Sequence, residues 1–142
     1  MAISEPILRT ESREISLLVA DENLSLTYAG CEAGERIAGR HVHRAHTEAF
    51  YVLEGELSFA LGPEAKTITI GPGGFVAAPP GVAHGFRTAG TARARWLVVH
   101  ARDGGFAAFM RGVRDGVEVG WDMAPVPDGG GLAIDHAIVS HA

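Results

Sequence analysis

Short apolar runs recur along the first hundred residues, most of them 5–8 residues long. They are "ISLLVA" (15–20), "LSLTYAGC" (24–31), "EAFYVL" (48–53), "ELSFAL" (56–61), "KTITI" (66–70), "GFVAAP" (74–79) and "ARWLVVHA" (94–101). Several alternate in polarity, which puts every second side chain on one face and suits half-buried strands. "LEGEL" (53–57) and "GPGG" (71–74) supply turns between them. Many short strands separated by regular turns predict an all-β architecture, a closed antiparallel barrel or sandwich.

The period changes after Arg102. In "GGFAAFMRGVRDG" (104–116), Phe106, Phe109, Met110 and Val113 fall at helical spacing. This predicts a short amphipathic helix over about 105–114, packed on the barrel. Residues 115–142 are rich in Gly and Pro and read as an irregular arm. No internal repeat is present, so residues 1–142 read as a single domain with a barrel core at about 15–101.

Composition narrows the function. The chain has 142 residues, 46% hydrophobic and 20% charged, which is a globular composition of one-domain size. A net charge of −5 with no basic run argues against nucleic acid and anionic membranes as partners. The N-terminal residues lack the apolar segment of a secretory signal, and no run of about 20 apolar residues occurs. The expected location is therefore cytoplasmic. Cys31 is the only cysteine. It permits no internal disulfide and no cysteine-based zinc cage.

The histidines carry the chemistry. In "RHVHRAHTEAFYVLEGEL" (40–57), His41 and His43 are two residues apart and share a face if the backbone is extended. Glu48 follows at an odd spacing. A turn or bulge over 44–47 must reset the parity to bring it inward. In "GGFVAAPPGVAHGFRT" (73–88), a strand runs into Pro79-Pro80-Gly81, and His84 opens the next strand as a fourth ligand. Three imidazoles and one carboxylate suit a single divalent transition ion: Fe, Mn, Ni, Co, Cu or Zn. An octahedral ion so held keeps two positions open, which is the style of a catalytic site. His46 falls in the reset turn and reads as a solvated loop residue. His100 reads as a core or cavity-wall histidine, and His136 and His141 as exposed. Phe50, Phe86, Trp96 and Val98 follow the ligands in strand phase and are candidates for the cavity wall. Tyr28 is a candidate phenol facing substrate. Arg36, Arg40 and Arg44 form an edge cluster, solvated or attractive to an anion.

These two segments resemble the paired motifs of the cupin superfamily. The first is written G-x5-H-x-H-x3–4-E-x6-G. Here His41, His43, Glu48 and Gly55 fit, while Gly34 lies one residue too far upstream. The second is G-x5-P-x-G-x2-H-x3-N. Gly73, Pro79, Gly81 and His84 fit, and Thr88 replaces the asparagine. The resemblance implies a jelly-roll-like barrel with His41, His43, Glu48 and His84 as metal ligands. Within the superfamily the chain is most similar to single-domain quercetin dioxygenase-like proteins. That implies a dioxygenase acting on a small organic molecule with O2, Glu48 taking a substrate proton. Related cupins imply two alternatives: an isomerase, epimerase, lyase or cyclase using the metal as a Lewis acid, or a non-catalytic binding protein. A homodimer, joined through N-terminal strands and an outer sheet face, is also implied.

Overall fold

The computed structural model describes residues 4–141. Ten strands precede the helix: β1 Glu5–Arg9, β2 Arg13–Ala20, β3 Ser25–Cys31, β4 Arg36–His41, β5 Thr47–Glu54, β6 Glu56–Leu61, β7 Lys66–Ile70, β8 Phe75–Ala78, β9 His84–Ala89 and β10 Ala94–Ala101. The helix α1 spans Phe106–Asp115, and a short strand β11, Ile138–Ser140, follows a 3-10 turn at Ile134–His136. One sheet has the order β1-β2-β3-β10-β5-β8-β11 and the other β4-β9-β6-β7, with antiparallel pairing throughout.

The all-β barrel expected from the run pattern is what forms. Alternation explains its core. On β5, Glu48, Phe50 and Val52 are buried while Tyr51 and Leu53 are exposed; on β6, Leu57, Phe59 and Leu61 are buried. These inward residues meet Val76, Phe86 and Trp96 between the two sheets. Each apolar side chain so buried stabilises the fold by about 1.5–3 kcal/mol through removal from water. Gly55 sits at φ 70° in the β5–β6 turn, where a Cβ would come within 2.6 Å of the Arg93 carbonyl. Only glycine fits there.

Of the strands before the helix, β1 and β4 lie outside both the predicted runs and the strand expected to open at His84. β1 is obscured by Pro6 and its flanking charges, although Ile7 is buried. β4 carries arginines, glycine and histidine, so it shows no apolar alternation. The helix forms where predicted, and Phe106, Ala107 and Met110 pack on Ile7 and Leu17. Val113, the last residue of the predicted stripe, is 47% exposed. Asp103 starts the helix by accepting from the Gly105 and Ala107 amides. Arg111 and Arg114 then bind Glu5 of β1. The C-terminal arm, expected to be irregular, is anchored at three places. Ala124 bridges Val42, Gly131 bridges Val82, and β11 pairs with β8.

Candidate metal centre

β4 ends at His41, so His43 does not lie on a strand. The extended path still continues, because Val42 and Ala124 exchange two backbone hydrogen bonds of 3.0 and 2.9 Å. His41 and His43 therefore turn to the same side. The chain then bends at Arg44–Ala45, and β5 begins with its parity reset. Glu48 points inward as that reset requires. His84 enters from the start of β9, directly opposite His41 in the sheet register.

The four side chains converge. Glu48 Oε1 lies 2.9 Å from His43 Nε2, 2.8 Å from His84 Nε2 and 3.9 Å from His41 Nε2. The opposite nitrogen of each ring faces a backbone carbonyl: His41 Nδ1 to Gly39 at 2.7 Å, His43 Nδ1 to Asp122 at 2.7 Å, and His84 Nδ1 to Val82 at 2.9 Å. A carbonyl only accepts, so each Nδ1 carries the proton. In a neutral ring that leaves the Nε2 lone pair aimed at the centre. His43 and His84 can donate to Glu48 only as imidazolium ions, which puts two protons beside one carboxylate in a buried site. One divalent cation supplies the same charge and uses every lone pair. The donor set thus fits a transition metal, with His41, His43, Glu48 and His84 as the residues that would hold it.

Burial pushes the Glu48 carboxyl up, but His100, His41 and His43 overcome this and hold it well below the ordinary carboxylate value. For His41, burial opposes the charged form; contact with Glu48 and the Gly39 carbonyl wins and raises its pKa.

Behind Glu48 lies a second group that the sequence reading missed. His46 is buried, not solvated. Asp122, from the C-terminal arm, covers it. The Asp122 carboxylate accepts from the Arg44 and Ala45 amides at 3.0 and 2.8 Å and from His46 Nδ1 at 2.7 Å. That fixes the His46 tautomer, so His46 Nε2 accepts from His100 Nδ1 at 2.9 Å. His100 Nε2 is then left without a hydrogen-bond partner, 3.3 Å from Glu48 Oε2. Burial lowers the His46 pKa, with Asp122 opposing and His43 and His100 assisting. Burial raises the Asp122 carboxyl, but His46 and the two amides outweigh it and lower it overall. Gly104, at φ 65°, lets the backbone approach here, since a Cβ would lie 2.5 Å from His46 Nδ1. Trp121 packs on His43, His46 and His100.

The site opens into a cavity of about 670 Å³. His41 and Glu48 border it, as do Phe86, Trp96 and Val98, three of the expected wall residues. Phe50 does not. It is fully buried between Phe59 and Phe86, one layer below. Nor does Tyr28, whose hydroxyl donates to Glu14 at 3.1 Å; the β3 residues that border the cavity are Thr27, Ala29 and Gly30. Arg40 borders the cavity and donates to the Gly62 carbonyl at 2.6 Å; Arg36 and Arg44 do not border it. Thr88, where the motif has asparagine, donates to the Glu32 carbonyl and accepts from the Glu35 amide. It pins the β3–β4 loop and makes no contact with the ligands.

The family model for the cupin domain matches residues 28–100, over half of the chain. The chain belongs to the cupin family. Solved structures agree on the fold. A double-stranded β-helix protein from Klebsiella pneumoniae is similar at 21% identity and TM-score 0.58, covering 67% of this cupin and 81% of its own chain. An RmlC-like cupin from Methanocaldococcus jannaschii matches at 17% identity and TM-score 0.59, covering 72% and 91%. Hydroxypropylphosphonic acid epoxidase from S. wedmorenis matches at 21% identity and TM-score 0.56, covering 68% and 54%. No curated protein matches this cupin. None of its helices is long and apolar enough to cross a membrane, among the described residues.

Proposed function

We propose that this cupin is a metal-dependent enzyme acting on a small organic substrate, and that its reaction is a quercetinase-like dioxygenation. The observation that carries the reading is the convergence of three locked imidazoles and Glu48 beside a mostly apolar cavity. A transition metal held there supplies Lewis acidity and electron exchange with O2. Substrate enters from the side of His41 and Glu48, the two candidate ligands that border the cavity. The depressed pKa of Glu48 keeps it ionised, the form needed both to ligate and to accept a proton. A substrate proton arriving at Glu48 Oε2 would face His100 Nε2, the buried nitrogen that lacks a partner. Oxygen-electrode measurements on metal-loaded protein with flavonols and β-diketones test this. Substrate-dependent uptake is expected; no uptake across the panel contradicts it.

The chain from Glu48 through His100 and His46 to Asp122 favours a second reading. Proton handling of this kind also serves an isomerase, lyase or cyclase that uses no O2. Turnover under strict anaerobiosis decides for that class.

We also propose a homodimer. Tyr28, Leu97, Tyr51 and Phe75 stand in one cross-strand row of the large sheet, on the outer face away from the site. Tyr51 and the neighbouring Leu53 are exposed. A second copy of the chain covers such a row.

A further inference from the structure

The cavity has two sides of different origin. Ile37, Phe86, Trp96 and Val98 belong to the span matched by the family model. The facing wall does not. It is built by Phe109, Met110 and Val113 of α1 and by Trp121 and Met123 of the arm, all C-terminal to that span. What the wall selects is therefore set by residues outside the span that the family model describes.

Resting on the metal-enzyme reading above, we infer that the wall selects an uncharged, ring-bearing, largely apolar substrate that turns one oxygen-bearing edge toward His41 and Glu48. Both sides present ring faces and edges, which favour aromatic partners in offset or edge contact. The methionines adapt to irregular apolar shapes. A cavity of about 670 Å³ is the size that takes a molecule of several fused or linked rings. Charged groups at its border are already engaged. Arg13 pairs with Glu35 at 3.3 Å and Glu14 accepts from Tyr28; Arg40 donates to the Gly62 carbonyl, though its buried Nε lacks a partner. A sugar or a phosphorylated ligand would lose more hydration on this mostly apolar lining than the few polar groups there restore.

Trp96 and Trp121 are the only tryptophans of the chain, and both line the cavity. Their emission reads its occupancy directly. The experiment titrates 2-naphthol, glucose and glucose 6-phosphate into metal-stripped and metal-loaded protein, followed by tryptophan emission and calorimetry. Saturable binding of 2-naphthol is expected in both forms, with none for the two sugars. Phe109→Glu and Val113→Glu should each weaken 2-naphthol at least about tenfold, because each places a carboxylate on the apolar wall. Val113 is half exposed, so that variant keeps its fold, as far-UV circular dichroism will show. Saturable sugar binding without naphthol binding overturns the inference, as does unchanged naphthol affinity in both folded variants. Metal content is measured on the same samples. Metal bound with no naphthol binding sinks the inference alone. Naphthol bound by protein that takes up no metal sinks the metal-enzyme reading alone.

Discussion

Asp122 does more at the centre than any residue whose type announced a role. Its main-chain carbonyl holds His43, while its carboxylate holds His46 and the two amides of the bend before Glu48. One residue of the arm thus sets the angle of a candidate ligand and the shape of the turn that returns Glu48 inward. Asp122→Asn keeps an acceptor oxygen for the bend but cannot accept from both the bend and His46 as a carboxylate does. The expected result is a loss of about 10–100-fold in metal affinity with the fold retained. Calorimetric metal titration checks it, and unchanged affinity contradicts the role. The convergence of the four candidate ligands was legible, because His-x-His and the Pro-x-Gly-x2-His spacing place imidazoles by strand phase. His46 was misread for a physical reason. Its turn position predicts exposure, and the group that buries it lies 76 residues away. Nothing in local periodicity reports an aspartate arriving from a Gly- and Pro-rich arm. Phe50 failed differently. Strand phase fixes the face of a side chain but not its depth, so Phe50 faces inward one layer too low for the cavity.

At the scale of elements, α1 is joined to the sheet by charge as well as by Met110 and Phe106. Glu5 accepts from Arg111 at 2.9 and 3.0 Å and from Arg114 at 2.7 Å. The Arg111 hydrogen bonds, resisted by slight burial and aided by Arg114, lower the Glu5 pKa below its ordinary 4.5. A carboxylate whose pKa is depressed on folding stabilises the protein fully above its unfolded value. That contribution is lost as the pH falls below 4.5 through the folded value. The groups are largely exposed, so the effect is modest and salt-sensitive. Glu5→Gln should flatten the acid-side fall of Tm and speed amide exchange in α1 at neutral pH. An unchanged acid limb contradicts the tether. The pattern of apolar runs predicted α1 and most strands because each shows its own period. It passed over β1 and β4, whose residues are too polar or too small to show alternation and which are held by pairing to their neighbours.

For the molecule as a whole, both motifs lie on elements that only the closed barrel brings together. β4 and β9 place His41 opposite His84, while Glu48 comes from the other sheet. The arm then crosses the open side and adds Asp122 and Trp121. The barrel was legible from the runs, and the site from the motifs. The cavity's outer wall was not, since it depends on where a helix and an arm of weak pattern come to rest. The outer face of the large sheet carries a prediction at this scale. Light scattering should give twice the chain mass of 14.9 kDa. Leu97→Lys with Tyr51→Lys should halve that mass without loss of secondary structure, and a monomeric parent protein contradicts the proposed pair.

The central claim is that His41, His43, Glu48 and His84 hold one divalent transition metal. Elemental analysis of the purified protein beside His84→Ala tests it most directly. The prediction is about one transition-metal ion per chain in the parent and a sharp fall in the variant, with both folded. No metal in the parent after loading, or equal metal in the two proteins, contradicts it.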